Sequence, residues 1–387
     1  MISIKLLNKI SPVYKSVWPE EAYSVSAEAE NPQAIVVRSA DMHEMEIEKS
    51  VLAVARAGAG TNNIPLEKLG KQGVVVFNTP GANANAVKEL VVAGMLLASR
   101  DIVGGIEWAK GLKGEGANVA KLVEKGKGQF VGPELKGKTL GIIGLGAIGS
   151  MVANAARALE MEVVGFDPYI TVDHAWMLSR AVQRARSQDE VLEKCDYLSV
   201  HVPLLNDTRG FLNAQLLKKM KKGAVILNFA RGELAADADI LSALESGDLR
   251  AYVTDFPNEN LIGQKGVIAI PHLGASTPES EDNCVDMACR QISAYLANGT
   301  IKNSVNYPDC ELEAGAAHRI AVLHANVPNT VGSITSLVAA YDINIDNMVN
   351  KSRGQFAYTV LDLDEAPPEI LLDKIENLEA IYRVRSF

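Results

Sequence analysis

The chain has 387 residues, of which 48% are hydrophobic and 22% are charged, and its formal net charge is −9 at pH 7. This length is enough for two or three domains with separate cores, and the composition is that of a globular α/β enzyme rather than a disordered or fibrous protein. The acidic balance argues against broad binding to nucleic acids or anionic membranes, because both need basic patches.

The cysteines and the N-terminus indicate which kinds of site and which cellular location to expect. The four cysteines show no CxxC spacing and no neighbouring histidine cluster, so we expect reduced thiols without a metal site or a disulfide framework. No apolar run approaches the ~18 residues of a membrane span. The opening sequence MISIKLLNKIS alternates like a strand and lacks the apolar core of a secretory signal. A cytoplasmic location is therefore expected.

The first hundred residues read as short strands alternating with helices. Apolar runs at 34–37, 52–55 and 74–77 are typical of buried strands in a parallel sheet, and a helical pattern follows at 86–99. After residue 138, strands are predicted at 139–143, 162–166, 197–202, 224–228, 251–254 and 267–270, with a helix at 150–159 and helical patterns between most of the others. This alternation predicts doubly wound parallel sheets.

A connection at 297–317 leads to a separate C-terminal unit. Its predicted order is strand 320–325, helix 331–341, strands 343–349 and 356–362, helix 369–377 and strand 381–384. That βαββαβ order is the ferredoxin-like arrangement.

A glycine-rich turn indicates a dinucleotide site. Gly144, Gly146 and Gly149 stand between a predicted strand and a helix, where they allow a tight turn, close approach of a pyrophosphate and helix–strand packing. The phosphates would meet free amides at the helix N-terminus. Asp167 ends the next strand, where a carboxylate accepts from ribose hydroxyls, and no arginine adjoins it to hold the extra phosphate of NADP. We therefore expect NAD as cofactor.

Three ionisable residues follow the turn and suit oxidation of a 2-hydroxy acid. Arg231 follows an apolar strand and offers a guanidinium fork for a carboxylate, and His272 closes another strand as a candidate base. Glu259 supplies a carboxylate that would orient the imidazole and stabilise its protonated form. Each residue alone has a plain structural explanation, but the carboxyl ends of parallel strands share one edge, so the three can converge there.

These motifs resemble the D-2-hydroxyacid dehydrogenase family, and within it the phosphoglycerate dehydrogenases. The resemblance rests on Ala230-Arg231-Gly232, on Phe256-Pro257 followed by Glu259, and on the run Pro271 to Thr277, with weaker matches at 37–39, 56–64, 78–80 and 303–306. It implies oxidation of 3-phosphoglycerate to 3-phosphohydroxypyruvate, the entry to serine synthesis, by a homo-oligomer (dimer or tetramer).

The resemblance also implies an architecture and a set of binding residues. A Rossmann-type NAD domain (92–285) would be inserted into a flavodoxin-like substrate domain (1–91 and 286–310), followed by a ferredoxin-like ACT regulatory domain (318–387). The implied cofactor contacts are Gly144, Gly146, Ala147, Ile148, Gly149, Asp167, His201, Val202, Pro203, Ala230, Asp255, His272 and Gly274. The implied substrate contacts are Arg38, Ser39, Ala59, Gly60, Asn83, Arg231 and His272.

Residues 319–387 resemble an ACT domain, in which matching positions bind an amino-acid effector across a dimer. The positions here are His324, Asn326 and Asn344, which predicts serine binding and feedback, with simple dimerisation as the alternative. Asn329 replaces the glycine that usually follows the proline, and asparagine can also adopt a positive φ.

Two departures leave the substrate open. Asp255 stands one position away from where the family often places its nicotinamide-contacting acid, and Asp41 lies where relatives often supply polar or basic phosphate contacts. A dehydrogenase for another D-2-hydroxy acid, such as one acting on hydroxypyruvate or glyoxylate, is therefore the alternative. A non-enzymatic NAD(H)-sensing scaffold is a further one, against which the Arg231, Glu259 and His272 set argues.

Overall fold

The computed structural model describes residues 1–311 and 317–387. The chain divides into two compact units, of which the first comprises Met1–Ala82 with Pro278–Phe387 and the second comprises Asn83–Thr277. The second unit therefore begins and ends a few residues before the limits proposed for the NAD domain, and the C-terminal domain groups with the first unit.

The first unit opens with a five-stranded parallel sheet in the order β2-β1-β3-β4-β5, which is the flavodoxin-like order. Its central strands are short, and all of their residues except Arg56 are buried because both faces are covered, as their Val- and Ala-rich sequences predict. The strands are β1 Ile2–Leu7, β2 Tyr23–Ser26, β3 Ala34–Val37, β4 Ala53–Arg56 and β5 Val75–Phe77, with helices α1 Tyr14–Val17 and α2 Leu66–Lys71.

The second unit contains a seven-stranded parallel sheet in the order β12-β11-β10-β9-β6-β7-β8. This order extends the Rossmann pattern, in which the chain reverses direction at the first strand and opens a crevice there. The strands are β6 Thr139–Ile143, β7 Glu162–Phe166, β8 Gln183–Arg184, β9 Tyr197–Val200, β10 Ala224–Asn228, β11 Leu249–Thr254 and β12 Val267–Ala269.

Helices cover both faces of this sheet and leave its carboxyl edge to loops. The helices of this unit are α3 Ala84–Ser99, α4 Ile102–Lys110, α5 Val119–Gly126, α6 Ala147–Ala158, α7 Val172–Met177, α8 Gln188–Lys194, α9 Ala214–Leu217 and α10 Asp237–Ser246. Three single 3₁₀ turns lie at Gly116–Asn118, Lys127–Phe130 and Gly232–Leu234.

The chain returns to the first unit through the long helix α11 Pro278–Asn298 and then forms a four-stranded antiparallel sheet in the order β14-β15-β13-β16. The elements are β13 His318–Ala325, α12 Thr330–Ala339, β14 Ile345–Arg353, β15 Phe356–Leu363, α13 Glu369–Glu376 and β16 Ile381–Ser386. The predicted βαββαβ order is confirmed.

One face of the C-terminal sheet belongs to the same apolar core as α11 and the first sheet. Leu323, Phe356 and Val360 pack in one cluster with Val36 of β3 and with α11, whereas the opposite face of the sheet packs on α12 and α13. Polar contacts fasten the junction: Arg383 donates to the carbonyl oxygens at 51 and 72, at 3.0 and 3.1 Å. The C-terminal domain therefore completes the core of the first unit.

The segment after α11 protects the open edge of the first sheet. Val305 N donates to Val76 O at 2.8 Å, and the Asn306 side chain both accepts from Val76 N and donates to Val74 O, each at 2.9 Å. Asn306 thus substitutes for a neighbouring strand along β5, which would otherwise expose unpaired backbone groups.

Most predicted elements are confirmed to within a few residues, and the predicted α/β fold class is confirmed with them. The sequence reasoning did not name the strands β2 and β8 or the helices α4, α5 and α11. Part of the predicted connection at 297–317 falls at 312–316, outside the described residues. None of the helices in the described parts of the chain is long and apolar enough to cross a membrane.

Candidate functional site

The glycine turn of the second unit joins β6 to α6. Gly144 adopts φ +92°, and a Cβ there would lie 2.6 Å from the carbonyl oxygen of His201. A Cβ on Gly149 would lie 2.0 Å from the carbonyl oxygen of Gly144, so only glycine fits at these two positions. Around Gly146, by contrast, no described atom lies within 4 Å of an added Cβ, and the turn is open to an incoming group.

Asp167 is tied to this turn. Its carboxylate accepts from Leu145 N and Tyr169 N, both at 2.8 Å, so the end of β7 is fastened to the glycine loop. A carboxylate has about four lone-pair sites, so the two oxygens keep capacity for hydroxyl donors. The position and the remaining capacity fit a ribose-binding role.

His201 follows β9 and lies beside the glycine turn. Its Nε2 pairs with Ser199 Oγ at 2.8 Å, while Nδ1 is buried and has no hydrogen-bond partner among the described residues. Burial lowers the pKa of His201 to about 4, so the ring is neutral at physiological pH. An orphaned buried nitrogen beside an open glycine turn fits a site that receives a polar ligand.

His272 and Asp255 form the centre of the candidate active site. His272 has φ +41°, and its backbone N donates to Asp255 O at 3.0 Å. Asp255 is 2% exposed, and its Oδ2 accepts from Gly274 N at 3.2 Å. Phe256 meets the imidazole edge-on, with ring centroids 4.9 Å apart, and so limits the orientation of His272.

Burial raises the pKa of Asp255, and the nearby positive charges of His272 and Arg231 act in the opposite direction. Arg231 follows β10, and its carbonyl accepts from the Asn228 side chain at 2.9 Å, which fixes the turn. The carboxyl edge of this sheet therefore holds a guanidinium, an imidazole and a buried carboxyl group close enough to interact electrostatically.

Glu259, the acid expected to orient His272, lies elsewhere in the loop. It is exposed, and the neighbouring Asn258 and Asn260 side chains hold the loop to Asp237. No hydrogen bond or ion pair joins Glu259 to His272 in the part of the chain that the structure describes. The role of Glu259 stays a prediction, and Asp255 is the carboxyl group that the structure places near the histidine.

The predicted substrate residues of the first unit lie at the carboxyl edge of its parallel sheet. Arg38 and Ser39 follow β3, while Arg56 ends β4 and donates through Nε to Arg38 O at 3.0 Å. Asn78 follows β5 and donates to Ala59 O at 2.6 Å, which shapes the glycine-containing loop. Asn83, the remaining predicted contact, belongs to the second unit, where it precedes α3.

Arg38 has an acidic partner that sequence reasoning missed. Its guanidinium forms an ion pair with Glu281 on the first turn of α11. Asp41, the acid that the sequence singled out, is instead held by His43, whose backbone N donates to Asp41 Oδ1 at 3.0 Å. That hydrogen bond and the contact with the ring lower the pKa of Asp41. The sequence around Arg38 gives no sign of its pairing with Glu281, because the two residues lie far apart in the chain.

The three predicted effector residues do not converge within one chain. His324 is 2% exposed, and its ring nitrogens meet Ala325 O and Thr359 Oγ1, both at 2.8 Å. The strand register places Ile345 level with His318, at the start of β13, whereas His324 lies near its end. Six residues of strand separate these levels, about 20 Å. Asn329 does adopt a positive φ, of 72°, as predicted.

The described residues contain no group of three or more His, Cys, Asp or Glu side chains arranged to hold a metal ion. All four cysteines are buried and free. Burial raises the pKa of the Cys195 thiol to about 12. These thiols are therefore poor nucleophiles, which agrees with a structural role.

The glycine turn and the sheet order define a dinucleotide-binding fold, and comparison with known proteins gives the family. Residues 92–274 match the D-isomer specific 2-hydroxyacid dehydrogenase NAD binding domain. The D-3-phosphoglycerate dehydrogenase of Haemophilus influenzae is 30% identical over 354 residues, covering 88% of this chain and 82% of that protein. The chain belongs to the D-isomer specific 2-hydroxyacid dehydrogenase family.

Other relatives agree with this assignment. The D-3-phosphoglycerate dehydrogenase of Bacillus subtilis is 33% identical over 87% of this chain, although the chain spans only 63% of that relative's length. The NAD+-bound 3-phosphoglycerate dehydrogenase structure from Entamoeba histolytica superposes with a TM-score of 0.58 and 26% identity, over 80% of this chain and 99% of that one. The holo D-mandelate dehydrogenase of Rhodotorula graminis has a TM-score of 0.66 at 22% identity, over 81% of this chain and 99% of that one, and shows the fold alone.

Proposed function

We propose that the chain is an NAD-dependent dehydrogenase that oxidises C2 of a D-2-hydroxy acid, with the conversion of D-3-phosphoglycerate to 3-phosphohydroxypyruvate as its first-choice reaction. This would be the first step of L-serine biosynthesis. The observation that carries the proposal is the grouping of Arg231, Asp255 and His272 at the carboxyl edge of the sheet that also bears the glycine turn. The names of the relatives support the choice of substrate.

NAD bound at the glycine turn would accept the hydride, that is, the C2 hydrogen with the electron pair of its broken bond. The first-turn amides of α6 would bind the pyrophosphate, and Asp167 would accept from the ribose. His201, which burial keeps neutral, would offer its unpaired Nδ1 to the same ligand.

His272 would take the proton of the C2 hydroxyl as the carbonyl forms, which balances the reaction with one hydride and one proton removed. Arg231 would hold the substrate carboxylate with its guanidinium fork. The buried carboxyl group of Asp255 would stabilise the imidazolium, and Phe256 would keep the ring in place. Arg38 stays a predicted substrate contact of the first unit.

Replacement of His272 tests the proposal. We expect His272→Gln to lower kcat for NADH formation by about 10²–10⁴-fold while the Kd for NADH stays unchanged. His174→Gln, at a half-buried histidine on α7, is the matched control. An unchanged kcat in the His272 variant, or no oxidation of any D-2-hydroxy acid by the unmodified chain, would refute the proposal.

The carboxyl partner of His272 can be identified in the same assay. If Asp255 has this role, Asp255→Asn lowers kcat/KM more than Glu259→Gln and shifts the pH at which activity is half-maximal. A larger effect of Glu259→Gln would show that the loop carrying Glu259 rearranges when substrate binds.

A non-phosphorylated D-2-hydroxy acid, related to hydroxypyruvate or glyoxylate, is the second candidate substrate. The ion pair between Arg38 and Glu281 favours it, because the Arg38 guanidinium already faces a carboxylate within the first unit. A panel of 2-hydroxy and 2-oxo acids at matched NAD(H) concentration separates the two candidates.

Serine feedback through the C-terminal domain is a further part of the proposal. The residue types at His324, Asn326 and Asn344 support it, provided that two chains supply one site, because the three residues lie apart within one chain. Calorimetric titration with L-serine and an assay with added L-serine test it. If neither responds, the domain has a different role, such as dimerisation.

A further inference from the structure

We propose that the second unit has a further ligand site, a basic cleft that binds a phosphate group, either free or carried as a monoester by a small molecule. The charged residues that line this basic cleft are Lys138, Asp196, Lys221, Lys222 and Arg250. All of them belong to the second unit, and none belongs to the glycine turn or to the proposed catalytic residues. The inference does not depend on which substrate the protein oxidises.

The basic cleft lies where four neighbouring parallel strands begin. The strands β11, β10, β9 and β6 are adjacent in the sheet, and each contributes a lining residue from its amino end or from the loop just before it. The glycine turn follows the carboxyl end of β6, so the five residues of that strand, about 17 Å, separate the two places. A ligand in the basic cleft therefore does not occupy the place of NAD.

The charge of the basic cleft is opposite to that of the whole chain. Its lining contains four cations and one carboxylate, a net charge of +3 in a chain of net charge −9. Lys221 Nζ and Asp196 Oδ1 form an ion pair at 3.0 Å. Among the described residues, Lys138, Lys222 and Arg250 form no ion pair. Three cations therefore stay without a neutralising carboxylate, which favours an anion that carries about two charges.

Arg250 is directed into the basic cleft by an irregularity of its strand. It is the unpaired residue of a β-bulge, because its neighbours Leu249 and Ala251 pair with consecutive residues of β10. A bulge of this kind changes the direction of a side chain. Among the described residues, the five N–H donors of the guanidinium have one acceptor, Tyr197 Oη. An acceptor supplied by a ligand would satisfy donors that the protein leaves unpaired.

A chain of hydrogen bonds fixes the orientation of this guanidinium. Arg250 Nη2 donates to Tyr197 Oη at 2.9 Å, and Tyr197 Oη pairs with Ser99 Oγ at 2.7 Å. Ser99 Oγ has one hydrogen, which it donates to Met95 O at 2.7 Å, so Tyr197 donates to Ser99 and accepts from Arg250. Tyr197 is 1% exposed and Ser99 is 4% exposed, so the connection to α3 is shielded from water. The guanidinium is therefore held in place before a ligand arrives.

A phosphate dianion fits these groups by charge and by geometry. A guanidinium fork contacts two oxygens of one phosphate, and Lys138 and Lys222 supply positive charges that need no fixed direction. Gly223 belongs to the same lining, and no described atom lies within 4 Å of a Cβ added there. The free space is about 390 Å³, part of which is open to solvent, and this suits a small phosphate ester.

Calorimetric titration of the full-length, NADH-loaded protein tests the proposal. The two ligands are inorganic phosphate and glycerol 2-phosphate, each at an ionic strength held constant with sodium chloride. We expect saturable binding of at least one of them, and we expect Arg250→Gln to raise its Kd more than about tenfold. Arg184→Gln, at an exposed arginine on β8, removes the same charge from the same unit and should leave this Kd unchanged.

A second variant protects the test against misfolding. Lys222→Gln changes an exposed side chain of the basic cleft, leaves the contact between Arg250 and Tyr197 intact, and should weaken phosphate binding to a smaller extent. Fluorescence titration with NADH shows whether each variant is folded, and Lys222→Gln decides if Arg250→Gln is not.

The results that would overturn the inference are distinct. They are no saturable binding of either ligand, an unchanged Kd in the folded variants of the basic cleft, an equal loss in Arg184→Gln, or displacement of NADH by phosphate, which would place the phosphate at the glycine turn. If glycerol 2-phosphate binds more tightly, the site takes a phosphate ester; if inorganic phosphate binds more tightly, it takes the free ion.

Discussion

The side chain of Asn306 offers a direct test of how the first sheet is completed. Asn306 is 4% exposed and binds both Val76 N and Val74 O at 2.9 Å. Leucine has a similar volume but no polar atoms, so Asn306→Leu leaves two backbone groups unpaired at positions that are at most 1% exposed.

The cost can be worked from these contacts. Each unpaired buried group costs about 1–3 kcal/mol, and the buried leucine side chain returns about 2 kcal/mol. We therefore expect Asn306→Leu to lower the free energy of unfolding of the first unit by about 2 kcal/mol. The loss should be in stability rather than in the chemistry of the second unit.

Urea unfolding can report this unit alone. Trp18 is 1% exposed in its core, whereas Trp108 and Trp176 belong to the second unit, so a background with both replaced by phenylalanine leaves a single reporter. Asn326→Leu, at an exposed asparagine of the same unit, serves as the control and should change stability by less than about 0.5 kcal/mol. A loss below about 0.5 kcal/mol for Asn306→Leu would refute the edge-protection argument.

Two predictions concern the second unit. Gly149→Ala places a Cβ 2.0 Å from Gly144 O and so distorts the glycine turn, and we expect the Kd for NADH to rise more than tenfold. Gly128→Ala, where the space around the added Cβ is free, is the control and should leave this Kd unchanged. Fluorescence titration with NADH measures both values. Burial lowers the pKa of His201 from 6.5 to about 4, so as the pH falls the unfolded state binds a proton at this residue before the folded state does. The free energy of unfolding therefore decreases as the pH falls from 6.5 to about 4, by at most about 3 kcal/mol. His201→Asn should remove that part of the acid sensitivity in urea titrations; an unchanged pH dependence would contradict the assignment.

Local signals account for what the sequence predicted correctly. The buried strands are continuous runs of valine, isoleucine, leucine and alanine, and the turn at Gly144 is framed by a strand and a helix, so both features can be read within about twenty residues. The βαββαβ order of the C-terminal domain follows in the same way from alternating patterns.

The remaining features depend on groups that approach only after folding. Glu281 reaches Arg38 because the start of α11 lies beside the end of β3, and neither local sequence contains that information. The orientation of the loop after β11 decides whether Asp255 or Glu259 lies near His272, and loop orientation has no periodic signal. The packing of the C-terminal sheet against α11 could not be predicted for a similar reason. Alternating apolar residues indicate that a strand has a buried face, but they do not indicate which element covers that face.

That packing has a consequence for how this protein can be shortened or recombined. Phe356 sits against Gly70 so closely that an added methyl group there would overlap the ring, and Tyr358 donates to Gly299 O at 2.7 Å. A truncated protein that ends after residue 311 would expose the apolar residues of α11 that the C-terminal sheet covers. We expect this protein to aggregate instead of folding as a smaller dehydrogenase. Exchanging the last seventy residues for a different domain would require both sides of this packed surface to be redesigned together.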